Sequence, residues 1–181
     1  MELSDAAREF ILHWGEMGAR WGVNRTVAQV HALLYLSPQA LTAEEIGEAL
    51  SVARSNVSTS LKELQNWNLV QVESRIGDRR DFFRTSSDVW TLFLTVVEQR
   101  VEREIDPTLE MLNRCVATAR GGGSSQAVVR SRIAAMRDFL EEIHGWYCQV
   151  RKLPAPALRS LIGMGSGITR ILPKAGRRRL D

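Results

Sequence analysis

Thr42 and Glu45 stand three residues apart at the head of LTAEEIGEALSVARSNVSTSLKELQNWNLV, and that spacing marks a helix start. The threonine hydroxyl can accept from the backbone N–H of Glu45 while the glutamate carboxylate reaches back to the N–H of Thr42. Ile46, Ala49 and Leu50 give this helix an apolar stripe, and Ser51, Val52 and Ala53 leave room only for a close helix pair. In the second helix Ala53, Val57, Leu61 and Leu64 fall on one narrow arc, which is expected to face a core. Leu69 to Arg75 then alternates, Gly77-Asp78 marks a turn, and Asp81 to Thr85 returns as a second strand. Two helices on a tight turn followed by a hairpin make a winged helix-turn-helix. The expected fold class is mainly α with a small β-hairpin wing.

The far side of the second helix carries the chemistry. Ser55, Thr59, Lys62 and Asn66 lie near its centre, Asn56 and Ser58 flank it, and Arg54 sits in the first turn. Short hydrogen-bonding side chains can approach base edges, and the cations can reach phosphate or guanine. Arg75, Arg79, Arg80 and Arg84 surround the hairpin turn, where a wing would meet the sugar-phosphate backbone or the minor groove of DNA. Asp78 and Asp81 stand between them, placed to hold the arginines or to moderate their charge. Thr42, at the head of the first helix, completes the candidate DNA-contacting set.

At these residues the chain resembles the MarR-type winged-helix repressors, and within them the GbsR-like branch. The resemblance rests on ARSNVSTSLKELQNWNLV, on the wing IGDRRDFF and on FILHWGEMGARWGVNRTVAQVHALLYLS upstream, and spans roughly Arg8 to Ser86. It implies a homodimer bound to a palindromic operator in duplex DNA, most often as a repressor. It further implies control by a small signal, choline in the member that names the branch, acting on osmoprotectant genes. One departure concerns contact with phosphate: many MarR-type proteins have Ser at the start of the recognition helix, where this chain has Ala53. That removes a side-chain cap and leaves Ser55 or backbone groups to meet the phosphate.

Composition limits the remaining classes. The 181 residues, 44% of them hydrophobic, suit one domain or one domain with an extension. No apolar run reaches the length of a membrane span, and MELSDAAREF lacks a signal-peptide layout, so the expected location is the cytoplasm. Cys115 and Cys148 match no disulfide framework or zinc spacing, and no metal or cofactor is expected. Net charge is +3, but residues 1–50 hold three arginines against seven acids and residues 151–181 hold eight basic residues against Asp181. Overall charge therefore does not argue for DNA; the placement of cations on one helix face and one hairpin does.

The other helices supply support and assembly. Leu3 to Trp21 reads as a helix capped by Ser4 or Asp5 and stopped by Gly22, with Phe10, Trp14, Met17 and Trp21 on one face; Asn24 caps the next, which Pro38 closes. Beyond the wing, Ser87 or Asp88 caps a helix bearing Trp90, Phe93, Val97, Val101 and Ile105, and Asp106-Pro107 is expected to restart it. Gly121 to Gln126 reads as a flexible connector. From Gln126 to about Lys152, Val129, Ile133, Met136, Leu140, Ile143 and Tyr147 repeat at spacings of four and three, a heptad seam that calls for a long helical partner. A two-fold copy of the chain is the economical partner, with Phe10 and Trp14 added to the interface. Three prolines and four glycines after Leu153 read as a basic tail. The expected division is 1–40 supporting helices, 41–86 DNA reader, 87–153 dimerisation and effector helices, and 154–181 tail.

Two further assignments concern ligands and catalysis. Trp14, Trp21, Trp90 and Trp146 lie on helices outside the reader, and aromatic faces attract quaternary ammonium ions, so they are candidates for an effector site. His13, His31 and His144 sit in amphipathic helices without a nucleophile elbow or paired carboxylates, so an enzyme is not expected. The alternatives are a winged helix that docks only protein and a regulator that senses oxidation through Cys115 or Cys148.

Overall fold

α1 (Asp5–Arg20) begins where Ser4 Oγ accepts the N–H of Ala7, and it stops at Trp21 with Gly22 at φ +79°. That conformation carries no Cβ penalty for glycine, so the stop is a backbone requirement. The structure, a computed structural model, describes residues 3–118 and 124–171, and the chain divides into two units at residues 1–99 and 100–181. In the first unit Asn24 Oδ1 takes the N–H of Thr26 at 2.8 Å and starts α2 (Arg25–Leu36). α1 lies close along α2 because of Gly18: a Cβ there would stand 2.6 Å from that of Ala28. Phe10 stacks on Trp14 at 5.3 Å between ring centres and meets Tyr35 at 6.3 Å, so the α1 aromatics lean on the same core.

α3 (Ala43–Leu50) carries the expected capping box: the N–H of Thr42 donates to Glu45 Oε2 at 2.7 Å and the N–H of Glu45 to Thr42 Oγ1 at 3.3 Å. The Thr42 N–H and the Thr42 hydroxyl, which donates to the same Oε2 at 2.9 Å, hold the Glu45 carboxyl below its ordinary range. Ser51 closes the helix in the left-handed region at φ 55°, and the N–H of Val52 returns to Gly47 O at 2.9 Å. α4 (Arg54–Asn66) follows at once, starting at Ala53 with no side-chain cap, as the sequence implied. Val30, Leu33, Ile46, Val57 and Leu61 are at most 2% exposed and form the centre of the unit. Burial of each contributes on the order of 1.5–3 kcal/mol.

The sheet has three antiparallel strands in the order β1 (Leu41–Thr42), β3 (Asp78–Arg84), β2 (Gln71–Arg75). β1 was not foreseen; it pairs Leu41 with Phe83 and Thr42 with Phe82, anchoring the hairpin to the head of α3. Two residues cannot show an alternating pattern, and their partner lies some forty positions away. A partly buried relay closes the base of the hairpin. Thr85 Oγ1 donates its one hydrogen to Leu69 O at 2.6 Å, so it accepts from His31 Nε2 at 3.3 Å, and His31 must then carry its proton on Nε2.

Several expectations change locally. β3 begins at Asp78, three residues before the expected Asp81, because the reversal uses only Ile76 and Gly77. Ala53 is exposed instead of facing the core, since it is the N-cap and only Val57, Leu61 and Leu64 of that arc turn inward. Asp88 does cap α5 (Val89–Arg100), accepting from the N–H of Thr91 at 3.2 Å. The restart at Asp106-Pro107 does not occur: a π-helical turn, Val101–Ile105, leads into α6 (Asp106–Thr118), and Asp106 is helical at φ −58°, ψ −50°. The wider turn accommodates a proline ring that would otherwise crowd the carbonyl of Arg103 and that offers no N–H.

In the second unit α6 packs with α7 (Ser124–Val150), and α8 (Ala155–Ile171) follows Pro154. α7 starts at Ser124, two residues before the expected Gln126; the glycines 121–123 of the connector lie outside the described residues. The tail expected from residue 154 is helical as far as Ile171; Leu158 near its start is buried, at 5% exposed, whereas Leu161, Ile162 and Met164 are exposed. Residues 172–181 lie outside the described residues.

Burial pushes the His31 imidazole down from 6.5 to about 4. The unfolded chain therefore takes up a proton that the folded chain refuses between those values, and stability falls as pH drops from about 6.5 toward about 4. The full loss is roughly 3 kcal/mol. Urea unfolding at about pH 7.5 and about pH 4.5 should show that His31→Gln, which keeps an N–H donor but does not titrate, loses less stability on acidification than the parent protein. Equal losses in the two proteins would contradict this origin of the acid sensitivity.

Candidate nucleic-acid interface

Because Val57, Ser60, Leu61 and Leu64 are the buried residues of α4, its other side is turned outward. Ser55, Asn56, Ser58, Thr59 and Lys62 are all exposed, as is Asn66. Thr59 is constrained: its hydroxyl donates to Ser55 O at 3.0 Å, which leaves its oxygen only as an acceptor. Thr42 is corrected as a direct contact. It is 2% exposed, and its hydroxyl is committed to Glu45 within the capping box, so it orders the head of α3.

A cleft of about 390 Å³ opens between the head of α3, one edge of α4 and the hairpin, lined among others by Arg54, Ser58, Lys62, Arg79, Arg80 and Asp81. The cations of α4 and the hairpin differ in how they are held. Arg54 lies 3.4 Å from Glu44, and Arg84 2.7 Å from Glu73 across the hairpin. Both pairs are exposed and add little stability; they fix direction more than energy. Asp78 receives Arg80 through its backbone N–H at 3.0 Å and its guanidinium at 2.6 Å, and these bonds hold the Asp78 carboxyl down at about 2. Arg75 lies with its guanidinium 3.7 Å from the centre of the Phe82 ring. Lys62 and Arg79 have no ion pair among the described residues.

The hairpin backbone explains part of this. Arg75 pairs with Asp78 but Ser74 with Asp81, so Arg79 and Arg80 bulge from β3 without partners on β2. Such a bulge redirects side chains at the end of a ladder. Of the residues that the sequence suggested, Arg54, Ser58, Lys62, Arg79 and Arg80 line this cleft, whereas Ser55, Asn56, Thr59, Arg75 and Arg84 are not among its lining residues. Sequence reading missed Glu44 and Gln65, which also line the cleft, and Glu73, which steers Arg84. Glu44 was legible only as a favourable charge in a first helical turn.

The other candidates lie outside this cleft. Trp14 is stacked on Phe10, Trp90 meets Phe93 edge-on at 6.3 Å, and Trp21 and Trp146 are 68% and 66% exposed. On α7, Val129, Met136 and Ile143 are about half exposed, while Ile133, Leu140 and Tyr147 are intermediate. His144 Nε2 lies 3.6 Å from Cys148 Sγ and 3.3 Å from Asp106 Oδ1, and Cys115 Sγ lies 3.6 Å from Met111 Sδ. Among the described residues no cluster of His, Cys, Asp and Glu is suited to a metal ion, and no helix is long and apolar enough to cross a membrane.

A tight helix pair, an outward polar helix and a basic hairpin paired back to the first helix define a winged-helix reader of the kind found in transcriptional regulators. Residues 21–81 match the family model described as MarR family. The chain is similar to the HTH-type transcriptional repressor GbsR of Bacillus subtilis (strain 168), 21% identical over 136 residues that cover 74% of this chain and 75% of that one. It is also similar to YvaV of the same organism, 23% identical over about half of each chain, 52% and 53%. A crystal structure of a transcriptional regulator shares the fold with a TM-score of 0.63 at 20% identity, covering 81% of this chain and 96% of the other. Residues 21–81 thus match a MarR-family model, and the relatives that the chain is similar to are named as transcriptional regulators.

Proposed function

We propose that the chain is a homodimeric, cytoplasmic repressor of the GbsR-like kind that reads a palindromic operator. In this reading α4 enters the major groove and the β2–β3 hairpin lies on the flanking backbone. The observation that carries it is the cleft in which Lys62 and Arg79, both without ion pairs among the described residues, face one space from two elements. Phosphates could bind there without first displacing a carboxylate. Ser55, Asn56 and Ser58 are free to meet base edges in the groove, and residues 41–86 act as the reader within the division into 1–40, 87–153 and 154–181. A winged helix that docked only protein would gain nothing from uncompensated cations on both elements.

Assembly is supported by α7, which has no buried residue among those described and carries half-exposed Val129, Met136 and Ile143 at heptad spacing. A 27-residue helix with such a stripe is stabilised by a second long helix. Two copies joined there present two recognition helices, which matches the symmetry of a palindrome. For the effector, the aromatic rings of Trp14, Trp21, Trp90 and Trp146 are the candidates to meet a quaternary ammonium ion such as choline, Trp21 and Trp146 being the exposed ones.

Three measurements test this reading. Lys62→Ala and Arg79→Ala should each weaken binding to duplexes selected from the source genome and lower the slope of log K against log salt by about one. Unchanged affinity and slope in both would contradict DNA reading by this face. Leu140→Asp should turn the dimer into a folded monomer by light scattering with intact circular dichroism; a folded variant that stays dimeric would remove α7 from the interface. Choline at millimolar concentration should change tryptophan fluorescence and raise the dissociation constant for the selected duplex. A compound that changes neither is not the effector.

A further inference from the structure

The tip of the β2–β3 hairpin carries an apolar residue that neither the turn nor the fold requires. Ile76 and Gly77 make the two-residue reversal between Arg75 and Asp78. Gly77 has φ +85°, whereas Ile76 is not among the residues of positive φ. In a turn of that order the second position calls for glycine, and the first accepts most residues. The backbone therefore explains Gly77 and leaves Ile76 unexplained. Packing does not explain it either: Ile76 is fully exposed, at 109% of its reference area, and a Cβ added at Gly77 would meet nothing within 4 Å. An isoleucine held in water gains none of the burial for which its side chain is suited.

Its surroundings narrow the partner. Arg75 is laid over Phe82, Arg80 is chelated by Asp78, and Arg79 bulges from β3 without an ion pair among the described residues. The tip is thus an apolar residue on a hairpin whose neighbouring positions carry Arg75, Arg79 and Arg80. A purely electrostatic contact would use more cations at the tip, and a protein-docking patch would spread more apolar area around it. The minor groove of duplex DNA presents both complements at this scale, phosphates on either rim and stacked base edges between them. Proteins that enter that groove insert isoleucine, leucine or phenylalanine at a base step, partly unstacking it and bending the duplex.

We propose that Ile76 is a minor-groove wedge: with the hairpin arginines on the phosphates, its side chain presses into a base step flanking the α4 site. Pyrimidine–purine steps unstack most readily, so the wedge selects such steps at positions where no side chain reads a base edge. The inference rests on the DNA-binding reading above and adds to it a source of specificity by deformability.

The test uses the full chain and a duplex of about 40 base pairs selected by the parent protein, with 2-aminopurine placed at the steps that hydroxyl-radical footprinting assigns to the wing. Parent protein should raise the 2-aminopurine fluorescence on binding. Ile76→Ala and Ile76→Ser should lose that rise, bind about tenfold more weakly, and lose the preference for a pyrimidine–purine step, with the salt slope unchanged because no charge is removed. Ile76→Leu should restore the signal. Thermal stability should be the same in all four proteins, since the side chain is in water, so a loss of binding cannot be ascribed to unfolding. If the parent binds and the Ala and Ser variants match it in affinity and fluorescence, the wedge is overturned while DNA reading stands. If the parent selects no duplex, both are overturned.

Discussion

One packing contact decides how this protein meets its partner: the burial of Val57, Leu61 and Leu64 along a single side of α4. Those three residues tie the helix to the core around Val30, Leu33 and Ile46. Once they are inside, the opposite face of the helix is turned outward. Ser55, Asn56, Ser58, Thr59 and Lys62 are presented to solvent by the same geometry that stabilises the unit. The hairpin depends on that core as well. β1 anchors it at Phe82 and Phe83, and the relay from His31 through Thr85 to Leu69 closes its base. A wing held at both places keeps a fixed spacing from α4, which a reader needs if helix and hairpin are to engage one duplex in register.

The electrostatics of the face are graded. Arg80 and Arg84 are pinned by Asp78 and Glu73, and Arg75 by the ring of Phe82, so their directions are set before any ligand arrives. Pre-orientation lowers the entropy lost on binding, though a phosphate must compete with the pinning carboxylate. Lys62 and Arg79 face the cleft without that competition. The acids also moderate the local field, in keeping with a chain whose net charge is only +3. A reader with less non-specific attraction depends more on shape and hydrogen bonding for its affinity.

The sequence was most legible where one local rule decides the outcome. The capping box at Thr42 and Glu45, the asparagine cap at Asn24 and the glycine stop at Gly22 each involve neighbours in the chain, and each was readable. The outward face of α4 followed from periodicity alone. What escaped depends on distant partners or on competing local effects. β1 exists only because β3 lies beside it, and Glu73 steers Arg84 only in the register the hairpin adopts. At Pro107 the rule that proline opens a helix met the alternative of a widened turn, and the turn prevailed. Thr42 looked available for contact because its spacing to Glu45 gives no measure of burial. The glycines after residue 160 argued against α8, yet the helix runs to Ile171.

In the proposed complex α4 sits in the major groove, with the hairpin on the flanking backbone and Ile76 in the minor groove of the same duplex. Dimethyl sulfate reports both at once, since it methylates guanine N7 in the major groove and adenine N3 in the minor groove. Methylation interference on a selected duplex should show guanine N7 effects within each half-site and adenine N3 effects confined to the flanks. Binding that tolerated methylation at both positions, or interference in the minor groove alone, would contradict a recognition helix seated in the major groove.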